Sequence, residues 1–465
     1  MKKIVIPYEI QSRELGGAIC LAKVFIQNGW TVYIGQKQEL FPFIDNFDRS
    51  VWFLKSIVPG ELKFLKKVKT KHFIATSDPE GLTPNPLGIL SIPSRFSSNT
   101  IKLADVIFFW GKSYYNEFKK IYGDYENKLF IVGSQIFDYW KGKVKEKKNI
   151  TEKKTILITS SFSLTNTIDG IDNVSLMADN YKDGLKKEHI QLLRLQTKIQ
   201  KKGLNSYIKL LEQMNAKLKK DFKIIFRPHP SENINYWEKI CKKLTNIKIE
   251  INNTENVLDQ ISKSTFIINF GSTLTHQIRL ANKICIYFPK LKKSILKSCF
   301  NEDIANLSIN IEDPNELVQR LNDGTLKDLK SKNNLEFIIE DFHNDDILNS
   351  SKKIFQTIDK KFTHIKKKNK DPFKSNFLSL INFYIYNFKN IFAKFLAIYF
   401  SFIPYIRNRF GLQLWRLNPK NHHKAKKLTL EQFREEFFEI KDITDKNKII
   451  FDRHFSGFFR IYKKK

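Results

Sequence analysis

Residues 223–230 read KIIFRPHP, and residues 265–274 read TFIINFGSTL. Each is a short run of β-branched and aromatic residues that stops at turn-forming residues, prolines in the first and a glycine in the second. Runs this short and this apolar are strands buried on both faces, as in parallel sheets. Working outward, strand-like runs recur at Thr155–Ser161, Lys248–Ile251, Ile284–Phe288 and Asn306–Ile311. Helical periodicity fills the gaps at Asn205–Leu218, Tyr236–Leu244 and Leu274–Ala281. Strands alternating with helices of this length predict parallel βα units wound into one sheet.

The first 140 residues repeat the theme. Lys3–Pro7, Trp30–Ile34, Lys71–Thr76, Val106–Trp110 and Leu129–Val132 read as strands, and Ser12–Asn28 and Lys112–Ile121 as helices. Asn28-Gly29 supplies the first helix stop. A basic, apolar-poor stretch, Lys141–Lys154, reads as a linker. The expected organisation is therefore a doubly wound, Rossmann-like lobe at 1–140, the linker at 141–154, a second such lobe at 155–365, and a distinct tail at 366–465. Two such α/β lobes in series form a cleft between them. Ligands in these sheets sit outside the carboxyl ends of the strands.

The chain has 465 residues, with 80 Lys and Arg against 48 Asp and Glu and a formal net charge of +32. That balance favours a polyanionic partner, or reflects a lysine-rich composition without a partner. A hydrophobic fraction of 42%, with 40 Phe, excludes wholesale disorder. Cys20, Cys241, Cys285 and Cys299 are too scattered for a metal knuckle and are expected to be free thiols in a reducing compartment. MKKIVIPYEI is interrupted by Pro7 and Glu9 and does not read as a signal peptide, so a cytoplasmic location is expected.

The tail carries 23 Lys and Arg against eight Asp and Glu. Between Asn376 and Ile406, Lys389 and Lys394 interrupt every apolar run before it reaches spanning length. On a helical wheel Asn382, Asn387, Lys389, Asn390 and Lys394 share one arc, and Leu380, Ile381, Tyr384, Phe388, Ile391, Phe392 and Phe395 take the other. Such a helix lies in an anionic membrane interface with basic flanks, or packs on the protein's own lobes. His422-His423 reads as solvated surface.

Four loops carry candidate chemistry. Arg227 and His229, stiffened by Pro228 and Pro230, offer a planar fork and a directed donor for a phosphate leaving group; the alternative is an ordinary turn. Gly271, Ser272 and Thr273 open a helix as an anion cradle, or simply cap it. Asp78 and Glu80 stand in a tight Ser-Asp-Pro-Glu-Gly turn, as base or nucleophile or as plain turn residues. Glu9, Arg13 and Glu14 follow the first strand as a site, or as an acidic helix start with a paired arginine.

Several of these pieces, in order over residues 1–290, resemble one family. R-P-H-P followed by a G-S-T helix start is similar to the two-lobed GT-B glycosyltransferases of bacterial surface polysaccharide assembly. IPYEIQSRELGGAICLAKVFIQNGWTVYIG resembles the opening of bacterial surface-carbohydrate biosynthesis proteins, with their E-x-x-S-R-E-L pattern. SDPEGL is similar to their D-E-E-G-L segment. ADVIFFWG with IVGSQIFD resembles the strand and G-x-x-x-x-D element that close the first lobe, and ILITSSFSLTN the start of the second. More distantly, R-P-H-P resembles the H-P motif of bacterial sialyltransferases, Kdo transferases and CDP-glycerol glycerophosphotransferases.

The resemblance implies a GT-B glycosyltransferase of capsule or O-antigen type, moving a sugar of ulosonic or nonulosonic kind from a CMP-linked donor to a glycan or lipid-linked acceptor. It implies that Arg227 and His229 hold the donor phosphate, with help from Gly271, Ser272 and Thr273. It assigns the catalytic carboxylate to Glu80 or Asp78. Three departures stand out: Pro79 replaces an acidic residue, Gln277 replaces a glutamate expected on ribose, and Asn282-Lys283-Ile284 replaces G-K-P. No D-x-D stands at a strand end, so a metal-independent reaction with no cofactor is expected, with peripheral attachment to the inner membrane face through the tail. The nearest alternative is transfer of a polyol phosphate from a CDP-linked donor. A different class is a non-catalytic protein binding anionic lipid or RNA; no aromatic-flanked RNA signature supports nucleic acid.

Overall fold

The computed structural model describes residues 2–78, 89, 92–93, 95–146, 154–167, 187–292, 294–295, 302–329, 349–362, 428–439, 449–454 and 457–463. The first lobe contributes strands β1 (Lys3–Tyr8), β2 (Thr31–Gln36), β3 (Val51–Leu54), β4 (Phe73–Ser77), β5 (Val106–Phe109) and β6 (Leu129–Ile131). Every residue from Ile4 to Tyr8 and from Thr31 to Gln36 is buried, as expected of strands covered on both faces. The second lobe contributes β7 (Lys154–Thr159), β8 (Phe222–Arg227), β9 (Ile249–Ile251), β10 (Phe266–Asn269), β11 (Ile284–Tyr287) and β12 (Ile309–Asn310). Its order is β12-β11-β10-β7-β8-β9, all parallel. The expected pair of doubly wound α/β lobes is therefore present.

Helix α1 (Gln11–Gln27) lies against β1 and β2, and α2 (Gln135–Glu146) follows β6. The expected linker from Lys141 is thus helix as far as Glu146. Gly16 and Gly17 explain how closely α1 and α2 approach. A Cβ on Gly16 would stand 2.5 Å from the Tyr139 ring, and one on Gly17 3.1 Å from the Ile136 backbone. Gly133, at φ 82, turns the chain from β6 into α2, a conformation open to glycine.

In the second lobe, α3 (Lys187–Lys217) runs well ahead of the Asn205 start read from periodicity. Gly203 within it lets Phe162 and Phe270 reach its backbone. Helices α4 (Ile234–Cys241), α5 (Val257–Lys263), α6 (Leu274–Leu280) and α7 (Pro314–Asp323) complete the layers. Helices α5 and α6 both touch α2 of the first lobe. Trp110, Ile136, Phe137, Trp140 and Leu258 form the apolar seam, with Leu280 against it.

Two corrections concern the end of the chain. Helix α8 (Ser350–Lys361), placed by sequence in the second lobe, packs on the first. Its Ile354 and Ile358, with Phe362, are buried in the first lobe's core, and Phe355 meets Phe25 edge to face. Asp138 of α2 fixes it there by accepting from the backbone N–H of Ser350 and Ser351 at 3.3 and 2.7 Å and the Ser351 hydroxyl at 2.6 Å.

The expected helical tail is also corrected at its end. Only α9 (Leu430–Glu439) is helical among its described residues; β13 (Ile449–Arg453) and β14 (Phe459–Lys463) form an antiparallel hairpin, and β14 pairs antiparallel with β2. The first sheet therefore has eight strands, β13-β14-β2-β1-β3-β4-β5-β6. The amphipathic stretch 376–406 and His422-His423 lie outside the described residues. No described helix is long and apolar enough to cross a membrane.

Candidate functional site

Each sheet changes winding direction beside its first strand: β1 sits between β2 and β3, and β7 between β10 and β8. Crevices open at such points, and the sequence candidates cluster around them.

In the second lobe, β8 delivers Arg227 and then the Pro228-His229-Pro230 turn. Its two nitrogen-bearing side chains diverge. The Arg227 guanidinium turns along the sheet, and one nitrogen (Nη1) donates to the Glu255 carbonyl and to Gln260 Oε1, both at 2.8 Å. Burial pulls its pKa down to about 10, so it stays charged at neutral pH. It ties β8 to α5, the helix that touches the first lobe. His229 is exposed instead. Its Nδ1 lies 2.6 Å from the Ser231 hydroxyl and accepts from the Ser231 backbone N–H at 3.3 Å. A ring nitrogen that accepts a backbone N–H carries no proton, so the neutral imidazole bears its hydrogen on Nε2. That is the donor tautomer a phosphate oxygen requires.

Sequence reasoning missed the residue that holds this turn, Glu232. It is 1% exposed. Its carboxylate accepts from the Ser160 hydroxyl at 2.9 Å, the Phe162 N–H at 2.8 Å, Trp237 Nε1 at 2.8 Å and the His229 N–H at 3.4 Å. One buried acid thereby joins the loop after β7, the loop after β8 and the start of α4. The signal was an acid just before a helix, three residues past the histidine.

Burial raises the Glu232 pKa above its ordinary value. A raised acid contributes stability that is full below its unfolded pKa and is lost as pH rises through the folded one. Glu232→Ala, which strands these buried donors, is expected to cost about 3 kcal/mol in urea unfolding. For the non-titrating Glu232→Gln variant, the stability gap to wild type should narrow as pH rises above 4.5. A gap that widens would mean that the donors hold the acid as an anion.

The β10 loop is a tight turn. Gly271 has φ 66, where a side chain is strained. Ser272 accepts from the Leu274 N–H at 3.2 Å and donates its own N–H to Asn269 Oδ1 at 3.3 Å, so its hydroxyl works as a cap. Thr273 is exposed at the start of α6 and makes no side-chain cap. Gln277 Oε1, one turn on, is buried and has no hydrogen-bond donor facing it. Thr159 Oγ1 bridges to the Ile268 carbonyl at 3.3 Å, holding the two strands of this crevice together.

The first-lobe candidates separate. Asp78 is 7% exposed and bound at two points by Arg95, whose Nε and Nη2 donate at 2.8 and 2.6 Å. Pro79, Glu80 and Gly81 lie outside the described residues. Glu14 caps the start of α1: its Oε2 accepts the Glu9 N–H at 2.7 Å and the Ile10 N–H at 3.3 Å, while Arg13 Nη2 donates to Oε1 at 2.9 Å. Glu9 is the more open carboxylate. Lys55 stands 2.5 Å and Lys37 3.2 Å from it, and burial notwithstanding, these two ammonium groups hold its pKa below the ordinary value. Lys37 also pairs with Glu61. Beside this ladder opens a small, shallow cleft at the carboxyl ends of β1, β3 and β4, lined by Pro7, Tyr8, Glu14, Lys55, Ser77 and Gln135 among others. Cys20, Cys241 and Cys285 are free thiols, as expected, and Cys299 is outside the described residues.

No protein-family model and no curated protein matches this chain. Among solved structures, it is similar to S. aureus MnaA in its UDP co-structure, with 14% identity, 80% of this chain and 100% of that one covered, and a TM-score of 0.44. It is similar to the Methanocaldococcus jannaschii UDP-GlcNAc 2-epimerase in complex with UDP-GlcNAc and UDP, at 14% identity over 77% of this chain and 100% of that one, TM-score 0.46. It is also similar to the wall teichoic acid polymerase TagF, at 11% identity over 78% of this chain and 90% of that one, TM-score 0.48.

Proposed function

We infer that the chain is a two-lobed transferase of surface-glycan assembly. It takes a nucleotide-linked donor in the second lobe and passes the carried unit to a glycan or lipid-linked acceptor hydroxyl at the first. The observation that carries this reading is the His229 turn. It is an exposed donor tautomer on a proline-stiffened loop, locked from beneath by Glu232, at the carboxyl end of a parallel strand. Charge that develops on a departing nucleotide phosphate is met there by a donor already in place. In this reading Gly271, Ser272 and Thr273 meet the same phosphate from the loop after β10, and the orphan oxygen of Gln277 suits a ribose hydroxyl. Arg227 contributes by fixing β8 to α5 and by its positive field, rather than as a swinging phosphate clamp.

The carboxylate that takes the acceptor proton is assigned to Glu80, since Asp78 is engaged by Arg95. The preferred donor is a CMP-linked sugar of ulosonic kind; the second reading is a CDP-linked polyol phosphate. The deciding experiment is a thermal-shift panel of CMP, CDP, UDP and GDP on the intact chain, followed by donor turnover. A cytidine nucleotide at about a hundredfold its Kd should raise the melting temperature by about 5 °C. CMP-sugar turnover supports the first reading, and CDP-glycerol turnover the second. A panel in which no nucleotide shifts the melt overturns both. The basic tail is assigned to peripheral attachment on an anionic membrane.

A further inference from the structure

The cleft at the carboxyl ends of β1, β3 and β4 contains two polar atoms that the fold leaves unused. Ser77 lines it and is 3% exposed, yet its hydroxyl has no hydrogen-bond partner. Gln135, at the start of α2, lines it too, and its side-chain oxygen is buried without a donor. An unmade hydrogen bond in a buried wall carries a desolvation cost, which a ligand of the right polarity removes. The Gln135 oxygen is an acceptor and needs an O–H or N–H brought to it. A phosphate at neutral pH brings mainly acceptors, whereas a hydroxyl brings a donor and accepts in return.

Charge points the same way. The lysine of this wall, Lys55, is already shared by Glu9 at 2.5 Å and Glu14 at 3.8 Å. Lys37 is shared by Glu9 and Glu61, and Arg13 pairs with Glu14. Three acids alternate with three bases along the ladder. A phosphate would add negative charge beside Glu14 against an ammonium that two carboxylates already neutralise. A neutral group adds none. Tyr8 and Phe53 give the cleft aromatic walls suited to the apolar face of a sugar ring or polyol carbon chain. The α2 helix that presents Gln135 also touches α5 and α6 of the second lobe.

Resting on the transferase reading, we propose that this cleft seats an uncharged, polyhydroxylated part of the acceptor through the Ser77 hydroxyl and the Gln135 oxygen, and rejects a phosphate at that position. Ser77 and Gln135 are positioning and specificity residues; neither transfers a proton.

The test titrates the intact chain with methyl α-glucopyranoside and glycerol as neutral probes, and with inorganic phosphate and glycerol 3-phosphate as anionic ones, followed by saturation-transfer NMR. The neutral probes should bind. Ser77→Ala and Gln135→Met should each weaken them about tenfold. Gln135→Glu, which keeps the acceptor oxygen, should bind them better than Gln135→Met. Because the Ser77 hydroxyl makes no bond in the ligand-free fold, Ser77→Ala should melt no lower than wild type, a result that a purely structural serine would not give. Neutral probes that fail to bind, or that bind both variants like wild type, overturn the proposal. So does phosphate binding that the same two variants lose. If cytidine nucleotides shift the melt and the neutral probes do not bind, this subsite alone falls. If the neutral probes bind as described and no nucleotide does, the pocket stands and the transferase reading falls.

Discussion

A chain ending at residue 427 is expected to be insoluble or to lack a cooperative melt. The end of the sequence belongs to the first lobe's sheet and core. Strand β14 lies on β2 with Phe459 opposite Ile34 and Ile461 opposite Val32. Phe433 of α9 stacks on Phe459 at 4.2 Å, and Leu428, Phe433, Phe437, Ile449, Phe458, Phe459 and Ile461 are all buried. At about 1.5–3 kcal/mol for each such side chain, the loss is on the order of 10 kcal/mol or more. Whole domains are stable by only about 5–15 kcal/mol. Truncation would also bare the edge of β2, whose Thr31–Gln36 backbone would then offer unpaired donors and acceptors to other chains. Size-exclusion chromatography and circular dichroism of residues 1–427 decide the matter. A monomer that melts cooperatively near the wild-type temperature would show that the hairpin is an ornament.

That dependence was hidden in the sequence for a physical reason. The hairpin strands read IIFDR and FRIYK, five residues each, within the most basic part of the chain. Net charge and long-wavelength periodicity dominate such a region, and a short strand pairing with residues some 430 positions away leaves no local mark. Strand β3 escaped too, since its apolar run VWFL is four residues long, the lower limit of a strand pattern. By contrast, β1, β4, β5, β8 and β10 were legible because fully buried parallel strands must be apolar throughout and must stop at polar or glycine-bearing loops. The placement of α8 was illegible. Its amphipathic face fits either lobe, and contacts distant in sequence select the first, among them the Asp138 carboxylate at its N-terminus, the Lys2–Asp359 pair and the Trp30–Phe355 neighbourhood.

The candidate site divides along the same line. Residue types at strand ends could be read, but the directions of their side chains could not. Asp78 looked like half of an acidic pair; its carboxylate is instead taken by Arg95, seventeen residues on, a pairing no spacing rule foretells. Glu14, read as a site acid or as an acidic helix start with a paired arginine, caps α1 and pairs with Arg13 while also lining the cleft. The two glycines after Leu15 turned out to matter for helix contact, which the sequence marked only as E-L-G-G. Glu232 shows the converse: a buried acid reads as ordinary loop polarity until four donors are seen to converge on it.

The sharpest functional consequence separates Arg227 from His229 in the R-P-H-P turn, which the sequence reading placed together on the donor phosphate. Under the transferase reading, His229→Ala should lower turnover by about 10²–10³ by removing a preorganised donor to the leaving phosphate. The melting temperature should stay near the wild-type value, because the residue is exposed and its ring accepts from Ser231 only two residues away. Arg227→Ala should act differently. It strips the donor from the Glu255 carbonyl and from Gln260, and should cost about 2 kcal/mol of stability before any effect on chemistry. Arg227→Lys should not restore it, since both bonds come from Nη1, which stands one bond farther along the side chain than a lysine ammonium. Paired urea titrations and single-turnover rates on both variants make the comparison. A fully active His229→Ala enzyme would remove the imidazole from the reaction. A loss of activity with Arg227→Ala at unchanged stability would turn the guanidinium back toward the donor and away from α5.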